Sequence, residues 1–174
     1  MTARVAIVTV SDRASRGLYD DKGGPAAEDW IRGVVTSPLT VTRDIIPDGH
    51  ASVAACLRRL VDEGADLILV TGGTGPAPRD ETPEGMAQVI DKELAGFGEE
   101  MRRASLREVP TAILSRQSAG IAGKSLIITL PGKPAAIATC LNAVFAAVPY
   151  CLDLIGAARI ETDPSRIAAF RPKA

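Results

Sequence analysis

Leu67 to Gly85 reads LILVTGGTGPAPRDETPEG. Its first five residues, Leu67 to Thr71, are apolar or β-branched and have the composition of a buried strand. They stop at Gly72-Gly73-Thr74-Gly75, where the backbone can turn sharply and come close to a ligand. Asp80 and Glu81 follow, and Thr82-Pro83 reads as the cap and first position of a helix. A strand end, bare backbone amides, carboxylates and a helix start are thus gathered in one short stretch. That is the pattern of a site for a phosphate and its metal ion.

The same alternation runs outward in both directions. Val5 to Val10 reads as a first strand and Pro25 to Val35 as a helix, with Ala27, Trp30, Ile31 and Val34 on one face. Leu39, Val41, Arg43 and Ile45 alternate as a half-buried strand, at the sheet edge by this pattern. Val53, Leu57, Leu60 and Val61 have helical spacing, and Gly64 stands where a C-terminal cap belongs. Further on, the pattern predicts helices over Pro83 to Leu94 and Gly98 to Leu106, then a second apolar strand over Ser125 to Leu130, ended by Pro131-Gly132. A helix over Pro134 to Val148 starts on its proline, and Pro149 begins another turn or two.

Strands alternating with helices imply an α/β fold with a parallel, doubly wound sheet covered on both faces. Ligands of such sheets bind outside the carboxyl ends of the strands. Ser11-Asp12-Arg13, Pro47-Asp48-Gly49, Gly72 to Asp80 and Pro131 to Pro134 all fall at such ends. The loop from Arg13 to Gly24 and the tail after Gly156 are the irregular stretches.

The 174 residues amount to a single domain, 1–174, with a C-terminal tail from about 157. A formal net charge of −1 and 3% aromatic residues offer neither a basic footprint nor stacking platforms, which argues against nucleic acid as a partner. The uninterrupted apolar stretches look short of the roughly 20 residues of a membrane span, so no membrane is expected. The opening MTARVAIVTVSDR reads as a strand rather than a signal peptide. Cys56, Cys140 and Cys151 are odd in number, widely spaced and set in apolar segments, as buried free thiols of a reducing, cytoplasmic compartment would be.

Each candidate group has a purely structural alternative. The glycine loop can be an anion cradle or a tight turn. It is neither a G-x-G-x-x-G fingerprint nor a Walker loop, and AGIAGKS at 119–125 lacks the leading glycine and precedes a strand instead of following one. Asp48 and Asp80 are candidate Mg2+ ligands; otherwise Asp48 caps the helix beginning near Ala51 and Asp80 is a solvated loop charge. Glu81 suits the start of its own helix. Ser11 and Asp12 either bind ligand or only end a strand. Pro131-Gly132-Lys133-Pro134 places a positive charge at a helix start or forms a plain turn. Ser115-Arg116 grips an anion or lies on the surface. His50 is the only histidine, which excludes a histidine metal cluster, and it reads as solvated near a helix start. This inventory has no evident nucleophile and suits phosphoryl or nucleotidyl transfer, where positioning and charge screening carry the reaction.

Eight segments, in order along nearly the whole chain, carry a family resemblance. They are VTVSDRASRGLYDDKGGPA near the start, IIPD at 45–48, TGGTGPAPRDETPE at 71–84, GFGEEMR at 96–102, PTAILSRQ at 110–117, LPGKP at 130–134, VPYC at 148–151 and AAFRPK at 168–173. The chain resembles the molybdopterin adenylyltransferases, the bacterial Mog proteins, which are relatives of the MoaB proteins and of the gephyrin G domain. TGGTG is shared by the wider superfamily, whereas the opening segment and the tail are similar to the Mog branch.

The resemblance implies a three-layer α/β fold with a mostly parallel sheet, assembled as a homotrimer. It implies transfer of AMP from Mg-ATP to the terminal phosphate of molybdopterin, with release of pyrophosphate. The product would pass to a separate molybdenum insertase, contacted transiently. Asp48 and Asp80 match aspartates associated with catalysis and Mg2+. Gly72, Gly73, Thr74 and Gly75 match the active-site glycine loop, and Pro131, Gly132, Lys133 and Pro134 a further active-site segment. Ser11, Asp12, Ser115 and Arg116 match motif positions assigned here to substrate binding. Two alternatives stand beside this reading. One is a non-catalytic molybdopterin-binding or scaffold module. The other is a pyrophosphatase or deamidase-type domain of the competence-damage family, which shares the TGGTG region.

Overall fold

Leu67 to Thr71 are buried throughout and form an inner strand of a six-stranded sheet. The structure is a computed structural model and describes residues 1–173. In chain order the elements are β1 (Ala3–Val10), α1 (Asp12–Ser15), α2 (Gly23–Val34), β2 (Leu39–Ile46), α3 (His50–Asp62), β3 (Leu67–Thr71), α4 (Thr82–Ala87), β4 (Lys92–Glu93), α5 (Ala95–Leu106), β5 (Ala119–Ala122), β6 (Ser125–Leu130), α6 (Pro134–Val144) and α7 (Val148–Ile155). Single 3-10 turns cover Pro110–Leu114 and Phe145–Ala147.

The strand order is β2-β1-β3-β6-β5-β4. β2, β1, β3 and β6 are parallel, as the sequence pattern implies. Beyond them β5 and β4 run antiparallel, so the sheet is mixed. AGIAGKS is the hairpin of this edge: Ala122 pairs with Ser125 and Gly123 takes a left-handed φ of 56° between them. The helix expected over Pro83 to Leu94 stops at Ala87. The chain then leaves to pair with β5: Asp91 donates its N–H to the Ile121 carbonyl and Leu94 donates to Ala119. A local helical pattern could not foresee these partners, which lie about thirty residues away.

Strand residues alternate between two cores. Val5, Ile7, Leu67, Leu69, Leu126, Ile128 and Leu130 pack with α2, α5, α6 and α7 on one face. Ala6, Val8, Val10, Ile68, Val70 and Ile127 pack with α3 and α4 on the other. α2 is fixed by the Trp30 ring, edge-on to Phe145 at 4.9 Å, with its indole N–H on the Asn142 side chain. α3 ends as expected at Gly64, whose φ is 79°; the Gly64 N–H reaches Val61 and the Ala65 N–H reaches Leu60.

Pro134–Ile155 is a helical run of 22 residues with mean hydropathy 1.8, long and apolar enough to cross a membrane. This corrects the reading of the apolar stretches as too short. In the fold the run is interrupted by the Phe145–Ala147 turn and serves the first core, burying Ile137, Leu141, Val144, Phe145, Val148 and Leu152. The tail is not loose. Ala158, Ile160 and Ile167 are buried, and backbone bonds join Thr36 to Glu161 and Asp163 to Val34.

Candidate active site

The carboxyl ends of β1, β3 and β6 meet at Gly72. Its φ of 98° and its neighbours both demand glycine, since a Cβ there would collide with the Val10 carbonyl oxygen. The Gly72 N–H donates to Leu130 at 3.1 Å, and the Thr71 hydroxyl donates to the Pro131 carbonyl at 2.8 Å. Gly132 lies against Gly72, with a would-be Cβ 3.7 Å from the Gly72 Cα. These contacts bring the loops after β3 and β6 into one site.

Thr82 does not cap α4 with its side chain, which corrects that expectation. Its hydroxyl donates to the Gly72 carbonyl at 2.8 Å and its N–H donates to Gly73 at 3.0 Å, folding α4 back onto the loop. Gly73 also has a left-handed φ, 65°, and a Cβ there would collide with the Thr82 hydroxyl. The N–H groups of Gly73, Thr74 and Gly75 donate to no acceptor among the described residues. Three successive unpaired amides form an anion-binding concavity.

Two carboxylates flank this loop. Oδ1 of Asp48 would lie 3.3 Å from a Cβ on Gly73, and Oδ2 of Asp80 2.7 Å from one on Gly75. Asp48 is not a helix cap: Gly49 holds that position, and Oδ2 of Asp48 accepts the Asp12 N–H at 2.8 Å. Asp12 returns the exchange by accepting the Asp48 N–H at 3.1 Å. Oδ2 of Asp80 accepts the Ala77 N–H at 3.1 Å. The second oxygen of each aspartate has no hydrogen-bond partner among the described residues. Burial pushes the Asp48 carboxyl above the ordinary range, with the negative charges of Asp12 and Asp80 adding to the effect.

Among the described residues no three acidic, histidine or cysteine side chains cluster as a complete metal cage. Mg2+ does not require one, because it is held by one or two carboxylates with waters and substrate phosphates completing the shell. The residues present fit that ion: two carboxylates with uncommitted oxygens on either side of an anion cradle.

Two arginines set the loop. The Arg116 guanidinium donates to the carbonyls of Gly75 at 3.1 Å and Asp80 at 2.6 Å and pairs with Glu84; its own N–H donates to Thr74 at 2.7 Å. Its contacts therefore go to the loop itself. Arg79, which sequence reading passed over, pairs with both oxygens of Asp12 and donates to the Asp48 carbonyl at 2.8 Å. Its hydrogen bonds hold the Asp12 carboxyl below the ordinary range. The one available signal was its place next to Asp80. Asp21 was also passed over: it accepts the Thr9 hydroxyl and the Gly24 N–H, fixing the start of α2.

The remaining candidates divide. Ser11 caps α1, accepting the Ala14 N–H at 3.1 Å. The Ser115 hydroxyl is 3.5 Å from that of Thr74. Glu81 serves α3 rather than its own helix, accepting both the N–H of His50 and its ring nitrogen Nδ1; His50 is thus exposed but paired. A cavity of 340 Å³ runs along Gly72 to Gly75, Asp80, Ser115, Pro131 and Gly132. Gly132 also borders a 190 Å³ cavity beneath Thr9, Tyr19 and Asp21, and a 360 Å³ cavity reaching Lys133 and Gln117. Pro134 opens α6 and lines none of the three.

Residues 6–150 match the MoCF_biosynth family, described as a probable molybdopterin binding domain. The chain belongs to this family. Relatives of the chain include the molybdopterin adenylyltransferase of Escherichia coli K12, 47% identical over 185 residues and covering 99% of this chain and 95% of that one. The molybdopterin adenylyltransferase of Helicobacter pylori is 49% identical over 173 residues, covering 99% and 98%. Among solved structures, the molybdopterin biosynthesis enzyme MoaB of Thermus thermophilus is 41% identical and superposes with a TM-score of 0.80 over 88% of this chain and 96% of that one.

Proposed function

We propose that this protein is a molybdopterin adenylyltransferase, which transfers AMP from Mg-ATP to the terminal phosphate of molybdopterin. The observation that carries the reading is the cradle of unpaired amides at Gly73 to Gly75, flanked by Asp48 and Asp80. Near-full-length similarity to proteins named molybdopterin adenylyltransferase supports it.

In this reaction a phosphate oxygen of molybdopterin attacks the α-phosphorus of ATP. The bond from that phosphorus to the bridging oxygen breaks, and pyrophosphate leaves with its electron pair. The protein's part is to hold the phosphates in line and to meet their charge. The loop amides receive phosphate oxygens, Gly132 brings backbone to the same cavity wall, and Lys133 brings a positive charge to the adjoining cavity. Arg116 and Arg79 keep the loop and the carboxylates in place. Asp48 and Asp80 would hold Mg2+, which supplies screening of the polyphosphate charge when bound. Ser11 and Ser115 stand at the rim as substrate contacts, while Asp12, paired with Arg79, supports Asp48. We also place the protein in the cytoplasm as a homotrimer that hands its product to a separate molybdenum insertase.

The test is to incubate the purified protein with molybdopterin, ATP and Mg2+ and to measure pyrophosphate and the mass of the pterin product. Formation of both is expected. Binding of molybdopterin without any consumption of ATP would instead establish the binding-module alternative.

A further inference from the structure

Asp48 and Asp80 follow strands that do not touch. β1 lies between β2 and β3, and neighbouring strands are about 4.8 Å apart, so two spacings separate the strand ends that lead to the aspartates. Among the described residues no backbone hydrogen bond joins residues 47–50 to residues 79–81. An ion held by both carboxylates tolerates little error in their separation, because Mg2+ demands near-ideal octahedral geometry. The sheet ladder does not fix that separation.

The residues on either side of Asp80 reach across the gap. Arg79 donates to the Asp48 carbonyl at 2.8 Å. Glu81 accepts the His50 N–H through Oε2 at 2.8 Å, and the same oxygen meets the His50 ring at 2.9 Å. Residues 79–81 thus grip residues 48–50, by a carbonyl on one side of Gly49 and an N–H on the other. Gly49 passes between the grips: a Cβ there would lie 3.7 Å from Nη1 of Arg79 and 3.7 Å from Oε2 of Glu81. Beyond this clasp α4 packs on α3, where a Cβ on Gly85 would collide with the Val53 side chain.

The two grips are not equivalent. Arg79 is also committed to Asp12, which takes two of its nitrogens. The Glu81 carboxylate has no hydrogen-bond partner but His50 among the described residues, and it does not cap its own helix. His50 is the first residue of α3. Glu81 therefore ties the start of α3, two residues after Asp48, directly to the neighbour of Asp80.

We infer that Glu81 is a positioning residue that fixes the separation of Asp48 and Asp80, and so prepares the pair for a divalent cation. The inference rests on these two aspartates being the metal carboxylates. Glu81 acts through an acceptor oxygen on a main-chain N–H and not through its charge, so the amide oxygen of glutamine can replace it.

The test is to titrate Mn2+ alone into the full-length protein and to count the free ion by electron paramagnetic resonance. Glu81→Ala should weaken Mn2+ binding by about tenfold, the lower end of what the loss of an outer-shell partner costs a metal site. Glu81→Gln should stay within about twofold of wild type, because it keeps the acceptor. Wild-type Mn2+ affinity in Glu81→Ala, whatever its melting temperature, overturns the inference and leaves the contact as packing between α3 and α4. An equal loss in Glu81→Gln overturns it as well, by making the residue a source of charge or a ligand. Asp80→Asn tests the reading beneath. If that variant binds Mn2+ as wild type does, the metal-carboxylate assignment falls and the inference with it. Loss in Asp80→Asn beside full binding in Glu81→Ala defeats the inference alone.

Discussion

Asp12 and Asp48 each accept the other's backbone N–H, at 3.1 and 2.8 Å, so that the ends of β1 and β2 are tied through two carboxylates. Arg79 closes over the pair from the segment that carries Asp80. One carboxylate of this exchange is neutralised by the guanidinium, and the other keeps an oxygen free beside Gly73. The asymmetry separates a supporting role for Asp12 from a ligand-binding role for Asp48.

Asp48→Asn and Asp80→Asn should each reduce AMP transfer by on the order of 100-fold or more, the scale expected when a charge-positioning group is lost. Steady-state pyrophosphate release would show it. Turnover surviving both substitutions would rule out these residues as the metal carboxylates.

Asp48→Asn should not lower stability, because asparagine still accepts the Asp12 N–H and brings no charge into a partly desolvated position. The sign follows from the raised carboxyl: folding opposes its ionisation, so stability declines as pH rises from 3.8 through the higher folded value and then levels off. At neutral pH the variant should melt at or above the wild-type temperature, as read by circular dichroism. A fall of several degrees would contradict this account.

Arg79→Ala should act on Asp12 in the opposite sense. The lowered Asp12 carboxyl contributes stability above its ordinary 3.8, and that contribution is lost as pH falls through the depressed folded value. Without Arg79 the Asp12 titration should move up toward 3.8, visible in carboxyl carbon chemical shifts. Because the arginine is exposed and solvent screens the pair, the global melting temperature should change little.

Gly72→Ala and Gly96→Ala should separate cleanly in urea denaturation. Gly72 combines a φ of 98° with a blocked Cβ position, so alanine should cost about 3 kcal/mol or more. Gly96, in α5, has nothing within 4 Å of a Cβ and no left-handed φ; alanine there should gain about 0.5–1 kcal/mol. Equal effects would mean that helix propensity, rather than the packing of the loop on Val10, governs both sites.

Arg116→Lys should keep the charge but lose the fork that spans Gly75, Asp80 and Glu84. Faster amide hydrogen exchange is expected at Asp80 and Thr82, whose N–H groups are bonded to Ala77 and Gly73, with a higher KM for ATP. Unchanged exchange would show that Thr82 and Gly132 hold the loop without the arginine.

The fold was legible wherever local pattern and final environment agree. β3 and β6 are buried on both faces, so their unbroken apolar runs announced them with their bounds. β2 was equally plain from its alternation, being an edge strand with one face covered. β4 and β5 were missed because they are short, and the glycines of AGIAGKS carry no hydrophobic signal. The true end of α4 was hidden for a related reason: Val89 and Ile90 continue a helical spacing but pack against the second core after the helix has ended.

By itself the sequence determined the glycine turn after β3, the alternation of strands and helices, and the loops that carry Asp48 and Asp80. All of these follow from short-range sterics and from side-chain periodicity within a few residues. Only the tertiary structure decided who meets whom. The Asp12–Asp48 exchange spans 36 residues and the Arg79–Asp12 pair spans 67, and Gln117 is left unpaired by the packing of elements far from it in sequence. Such partnerships depend on strand order and register, which set the ends of β1, β2, β3 and β6 side by side, and no local pattern encodes them.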